Sequence, residues 1–291
     1  MIRSSLPHLH VAALSHAGMS GKNNEDRYAI SSFQISKDDS RPALFAVIAD
    51  GIGGHRAGEV AAELAVNYIT AGVAESNAKK PQQILENVIQ NASQSIASHS
   101  AGRDDQNGMG STCACVWVIE NRLYTAYVGD SRIYLLRGKH IQRISIDHTW
   151  VQEAYEKGII TAEQLYDHPN QHVIRRHLGG LKLPEVDFRL RIDDAESNEE
   201  SERNQGFQLA PGDTILICSD GLTDLVWDDE IQKIIRSKND MKLAAETLVN
   251  LANERGGHDN ITVVIMSMPN LEEDPKQKKK AGILNLIFGD E

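Results

Sequence analysis

The stretch TCACVWVIENRLYTAYVGDSRIYLLRGKHIQRI, residues 112–144, decides how the fold is read. Four runs rich in β-branched and aromatic residues (112–119, 123–128, 131–136 and 140–144) are separated only by Glu120-Asn121, Gly129-Asp130 and Gly138-Lys139. Turns this short join antiparallel neighbours, because a parallel crossover consumes a dozen or more residues. The segment reads as a meander of hairpins, which argues against a doubly wound parallel sheet.

Toward the N-terminus, residues 11–14 form a short strand entering the polar turn 18–24. A second strand covers 26–33, and 37–42 is the hairpin loop before the apolar run 43–49, which stops at Asp50-Gly51. Residues 58–73 and 81–98 carry apolar residues at helical spacing, with Ile84, Leu85, Val88, Ile89 and Ile96 on one face. Toward the C-terminus, 149–157 and 161–166 read as short helices, followed by a polar stretch to Gly180. Residues 193–206 are Asp, Glu, Ser and Asn with almost nothing apolar, the composition of a mobile loop. A buried strand at 214–218 ends at Asp220-Gly221, helices follow at 229–236 and 243–254, Gly256-Gly257 stops the second, and 261–268 is the last strand. There is no internal repeat. The sequence is read as one α+β domain over 1–268 and a tail, 269–291, with Lys278, Lys279 and Lys280 ahead of an apolar patch at 283–288. The tail is either a frayed terminus or a docking peptide or weak membrane-surface anchor.

With 30 basic and 41 acidic residues in 291, the net charge of −11 weighs against nonspecific nucleic-acid binding, which needs cations to displace phosphate counterions. It leaves room for a phosphorylated substrate, because a bound divalent cation reverses the field of an acidic site. Cys113, Cys115 and Cys218 form neither a disulfide framework nor a zinc pattern and lie in apolar runs. No cysteine opens the phosphate-cradling loop of a thiol phosphatase. A monomeric protein of the reducing cytoplasm is expected: residues 1–14 lack a signal-peptide run, and no stretch approaches the ~18 apolar residues of a membrane span.

Four segments put an aspartate where an apolar strand meets a turn: Ala49-Asp50-Gly51, Gly129-Asp130-Ser131, Ser219-Asp220-Gly221 and His258-Asp259-Asn260. A fifth acidic pair, Glu25-Asp26, opens the second strand. Singly, Asp-Gly after a strand is ordinarily just a turn. As a set, these residues offer the oxygen donors that hard cations such as magnesium and manganese take. Periodicity does not show that they converge.

The segments Asn24-Glu25-Asp26, Asp50-Gly51-Ile52-Gly53-Gly54-His55, Gly110-Ser111-Thr112, Val128-Gly129-Asp130-Ser131-Arg132, Asp147-His148-Thr149, Ser219-Asp220-Gly221-Leu222 and Gly257-His258-Asp259-Asn260-Ile261-Thr262 occur in one order across residues 15–264. In that order they resemble the metal-dependent serine/threonine protein phosphatases of the type 2C class, bacterial branch. The resemblance implies a four-layer α-β-β-α sandwich, two antiparallel sheets face to face with helices outside. It implies Mn2+ or Mg2+, two ions in the core site and a third in bacterial members. Asp50 would bridge the two ions, the Gly51 carbonyl would bind one, and Asp220 and Asp259 would complete the other. Asp26 would support the second ion, and Asp130 would hold the third. Glu25 is either a supporting partner or a solvated charge. Residues 150–180 match the bacterial flap, within which His168, His172 and His177 read as polar surface rather than as ligands. The substrates implied are phosphoserine and phosphothreonine proteins, the products of a serine/threonine kinase.

Two positions depart from that pattern. Gly21 stands where the family commonly has a phosphate-gripping arginine, leaving the adjacent Lys22 as the candidate contact, and Ile52 stands where some members carry a histidine acid. A phosphatase-like binding module without turnover, and a metal-dependent hydrolase of small phosphate esters, remain as alternatives.

Overall fold

The computed structural model describes residues 1–52, 57–103, 106, 108–238 and 240–270. The tail beyond 270, and Gly53-Gly54-His55 of the motif above, lie outside the described residues. Among the described residues no helix is long and apolar enough to cross a membrane.

Strands β1 (Ile2–Arg3), β2 (His10–His16), β3 (Arg27–Gln34), β4 (Pro42–Ala49) and β5 (Gly51–Ile52) precede helices α1 (Ala57–Glu75) and α2 (Pro81–Ser100). Strands β6 (Gly110–Ser111), β7 (Cys113–Ile119), β8 (Arg122–Val128), β9 (Arg132–Arg137) and β10 (His140–Arg143) follow, then α3 (Trp150–Glu156), α4 (Gln164–Asp167) and α5 (Asn198–Arg203). The chain closes with β11 (Phe207–Gln208), β12 (Thr214–Cys218), α6 (Asp220–Thr223), α7 (Asp228–Ser237), α8 (Met241–Glu254) and β13 (Ile261–Ser267).

Two antiparallel sheets result, ordered β1-β3-β4-β7-β8-β11 and β10-β9-β12-β13-β2, with β5-β6 as a small third pair. The central strands are apolar without interruption because both their faces are buried. In β4, Leu44, Ala46 and Ile48 meet Ile215, Ile217, Val264 and Met266 of the other sheet. The alternate residues Ala43, Phe45, Val47 and Ala49 pack under α1 and α2 against Ala65, Ile69, Leu85 and Ile89. On the far side, Leu216, Val263 and Ile265 pack under α7 and α8 against Ile231, Ile235 and Leu248. The two-residue period of a strand thus serves three apolar layers at once, giving the four-layer sandwich.

The 112–144 meander is corrected in one respect. It is two hairpins in different sheets: β7 pairs with β8 and β9 with β10, while β8 and β9 do not pair. Gly129-Asp130 is a crossover between sheets, with Gly129 at φ 110. The Ser131 and Thr112 hydroxyls, 2.8 Å apart, pin the sheets together there. The mobile loop expected at 193–206 is also corrected, because it contains α5. Ser197 caps this helix in a capping box with Glu200, and Ser201 is fully buried. The helix read at 161–166 is the single turn α4.

Candidate metal centre

Strand register brings the aspartates together. In the six-stranded sheet the start of β3 faces the end of β4 (Arg27 opposite Ala49), and the start of β7 faces the end of β8 (Cys113 opposite Val128). In the other sheet the end of β12 faces the starts of both β13 and β9 (Cys218 opposite Val263 and Arg132). Asp26, Asp50, Asp130, Asp220 and Asp259 each sit one to three residues beyond those ends, so all five occupy the same edge of the sandwich. A cavity of about 1150 Å³ opens there, lined by Lys22, Asp50, Gly51, Asp130, Asp220 and Asp259 among others.

Asp50 is held by its backbone. The Asp50 N–H donates to Thr112 Oγ1 at 3.0 Å, and its carbonyl accepts from the Thr112 N–H at 2.8 Å and from Ser111 Oγ at 3.0 Å. Gly51 abuts the backbone of α1 so closely that a Cβ there would lie 2.2 Å from the Gly58 oxygen, so only glycine fits. Asp26 stands one layer behind the cavity wall, 2% exposed, accepting a 2.7 Å hydrogen bond from Ser219 Oγ. Asn260 ties the loops: its Oδ1 accepts from Glu25 N–H at 2.7 Å, and its Nδ2 donates to the carbonyls of Ala17 and Asn23, both at 3.1 Å.

The cluster is charged beyond what its surroundings satisfy. Oδ1 of Asp26, of Asp130 and of Asp220 is buried with no hydrogen-bond partner, a costly state for a carboxylate oxygen. Burial raises the Asp26 carboxyl to about 7, Asp220 and Asp259 add to this, and hydrogen bonds from Thr262 and Ser219 oppose it. Asp50 is pushed well above its ordinary value by burial and then by Asp26, Asp220, Asp130 and Asp259. Burial followed by Asp220 and Asp147 raises Asp130 likewise, and burial followed by Asp259 raises Asp220. Orphaned oxygens, like charges and an all-oxygen donor set fit divalent cations.

Glu25 also lines the cavity, with its carboxyl raised by burial and by Asp259. Lys22 lines it too, and its charge lowers the Glu25 carboxyl. Gly21 takes φ +74, in the left-handed region, so an arginine here would be strained and the departure at this position is built into the backbone. The three flap histidines separate. His168 stacks on Trp150 with ring centroids 4.7 Å apart, and His177 Nδ1 lies 2.9 Å from the Leu178 carbonyl. His172 is exposed, in keeping with its reading as polar surface, and lies near the carboxylates, with Nδ1 3.5 Å from Asp224 Oδ2 and donor atoms of His172, Asp220 and Asp224 within 4.8 Å of one another. Residues 168–172 form a turn, not a helix, so sequence spacing gave no signal for this. Asp224 did leave one, since it lies four residues after Asp220 and so shares a helix face with it. Its carboxyl is raised to about 7 by burial and Asp220, with His172 opposing.

Ser111-Thr112 and Asp147-His148-Thr149 position the site. His148 Nδ1 accepts from Gly129 N–H at 3.0 Å, beside Asp130, and its other nitrogen lies 3.0 Å from Asp187 Oδ2. Arg132 grips Asp147 with Nε (3.0 Å) and Nη2 (2.8 Å) to Oδ2, and Arg143 adds a third contact at 3.1 Å. Burial pushes the Asp147 carboxyl up, but the two arginines outweigh it and hold the group below its ordinary value.

The family model described as Protein phosphatase 2C matches residues 15–262. The serine/threonine phosphatase stp of Listeria monocytogenes serotype 4b (strain F2365) is 32% identical over 274 residues, covering 93% of this chain and 98% of the relative. The protein phosphatase PhpP of Streptococcus pneumoniae serotype 2 (strain D39 / NCTC 7466) is 31% identical over 271 residues, 91% and 99% of the two chains. Among solved structures, the Mycobacterium tuberculosis serine/threonine phosphatase PstP/Ppp superposes with a TM-score of 0.74 at 31% identity, over 90% of this chain and 99% of that one. The catalytic domain of PstP in complex with two manganese ions gives a TM-score of 0.71 at 30% identity, over 89% and 97%.

Proposed function

The chain belongs to the protein phosphatase 2C family and is a metal-dependent protein serine/threonine phosphatase of the bacterial type, and from that premise we propose that Asp50, Asp220, Asp259 and the Gly51 carbonyl hold the two cations of its active site. The observation that carries the reading is the convergence of five aspartates, from strand ends of both sheets, on one edge of the sandwich with three buried oxygens left unpartnered. Asp26 supports the site from behind, fixed by Ser219, and Asp130 with Asp220 is the place for a third ion. Manganese or magnesium suits such oxygen donors. When bound, the cations supply charge neutralisation for the phosphoryl oxygens and bring a water to nucleophilic strength near neutral pH.

The chain's own residues do the rest. The Ser111 and Thr112 hydroxyls, one donating to the Asp50 carbonyl and the other accepting from its N–H, fix Asp50 at a rigid strand end, as positioning of a hydrolytic site requires. Cys113, Cys115 and Cys218 are buried, which agrees with direct hydrolysis rather than a thiol intermediate. Lys22 offers the phosphate a point charge where the backbone at Gly21 disfavours an arginine fork. We place the reaction in the cytoplasm, on the products of a serine/threonine kinase.

The test is hydrolysis of phosphoserine, phosphothreonine and phosphotyrosine peptides and of nucleotides, with manganese, magnesium or chelator. Turnover of the first two alone, abolished by chelator, is expected. Turnover of nucleotides alone would favour a small-ester hydrolase, and none at all a binding module. Lys22→Ala is expected to raise KM for a phosphopeptide roughly tenfold with kcat little changed, the worth of one charge-assisted hydrogen bond, about 1.5 kcal/mol. An unchanged KM removes Lys22 from the site.

A further inference from the structure

The cavity over the aspartates is far larger than a phosphorylated side chain needs. At about 1150 Å³ it matches or exceeds the pockets of roughly 300–1,000 Å³ that enclose whole small-molecule ligands. Away from the aspartates five apolar side chains line it among polar neighbours such as Gln152 and Gln171: Val151 on α3, Leu165 on α4 and Ile174 beyond it, and Leu225 and Trp227, between α6 and α7. Leu165, Ile174 and Leu225 are only partly covered, and Trp227 is 54% exposed.

Both groups are fixed. Ile174 bridges to Thr149, the Trp150 N–H donates to the Val173 carbonyl at 2.8 Å, and the Arg175 N–H donates to the His148 carbonyl at 2.7 Å. In the second group, the helical bonds from Asp224 N–H to Asp220 O (2.9 Å) and Val226 N–H to Leu222 O (2.9 Å) carry one continuous turn from the carboxylate end to Leu225. Five residues of helix advance about 7.5 Å. Two residues of extended chain advance about 7 Å and return the side chain to the same face. A side chain two positions from a phosphoresidue seated at the aspartates is therefore within reach of this limb.

We propose that the limb between Ile174 and Trp227 is a specificity subsite for an apolar side chain two residues from the phosphorylated serine or threonine of the substrate. The inference rests on the phosphatase reading and deepens it by naming the substrate class. Of the neighbouring charges, Asp147 is gripped by Arg132 and Arg143. An apolar flanking residue gains contact area there.

The test uses the full chain with manganese and phosphothreonine peptides carrying Leu, Phe, Ser or Asp at positions −2 and +2. At one of the two positions, kcat/KM for Leu or Phe should exceed that for Ser or Asp by about tenfold, the discrimination an apolar pocket supplies. Ile174→Ser and Trp227→Ala, one from each group, should each bring that ratio to within about twofold of unity by lowering the apolar peptide. A wild-type ratio near unity, or a tenfold ratio unchanged in both variants, overturns the subsite while leaving the phosphatase reading intact. Failure of every peptide to be hydrolysed overturns the reading itself.

Discussion

Asp220→Asn is expected to lower manganese-dependent turnover by about a thousandfold while leaving the metal-free protein at least as stable as the wild type. Losing a residue that merely orients a metal ligand costs about 10- to 100-fold, and losing a ligand costs more. The stability half of the prediction follows from the electrostatics of the cluster. The Asp220 charge raises the carboxyls of Asp26, Asp50, Asp130 and Asp224, and its own Oδ1 has no partner. A neutral amide removes repulsion from four neighbours, and its Nδ2 can still donate to the Asp50 carboxylate with which Asp220 shares a hydrogen bond. Each kcal/mol relieved would raise Tm by about 2–4 °C in a chain of this size. The checks are steady-state kinetics at saturating manganese and a thermal melt in chelator. A variant that loses activity and metal-free Tm together would show Asp220 to be structural. Wild-type turnover would remove it from the centre.

The metal-free protein is expected to lose stability as pH rises from about 4 to 8, and manganese to restore it with a larger Tm increment at pH 8 than at pH 5.5. The sign follows from proton counting. Asp26 is raised from 3.8 to about 7 in the folded state, and Asp50, Asp130 and Asp220 are raised as well. Between pH 4 and 7 the folded chain keeps protons that the unfolded chain has released, so stability is full below the unfolded value and falls as pH rises through the folded one. For Asp26 alone the shift is worth on the order of a few kcal/mol. Cations bind the ionised carboxylates, so the rising pH that destabilises the empty site strengthens its loading. Melts in chelator and in manganese at several pH values measure both slopes. A manganese increment independent of pH would mean that the ion binds elsewhere.

Much of this was written in the chain and some was not. The uninterrupted apolar runs of β4, β12 and β13, each flanked by aspartate, gave the strands and the candidate ligands together. The sequence could not say which sheet each strand joins. Gly129-Asp130 has the composition of a hairpin turn, and only the register of β8 and β9 with other partners makes it a crossover. That crossover is why Asp130 meets aspartates from the other sheet. Helix α5 was legible in Ser197 and Glu200 at capping-box spacing, but acidic composition masked it. Asp224 was legible as a helical neighbour of Asp220. His172 was not, because a turn brings it to the carboxylates rather than any periodic element. The departure at Gly21 was visible as a residue type, and its cause, a left-handed backbone, only in three dimensions.

The central claim is that Asp50, Gly51, Asp220 and Asp259 hold the metal. Anomalous scattering from crystals grown with manganese chloride tests it most directly. Two strong peaks are expected against the Asp50 carboxylate, one also touching the Gly51 carbonyl and the other Asp220 and Asp259, with any third peak at Asp130. Manganese found only between His172 and Asp224, or nowhere along this edge of the sandwich, would contradict the assignment.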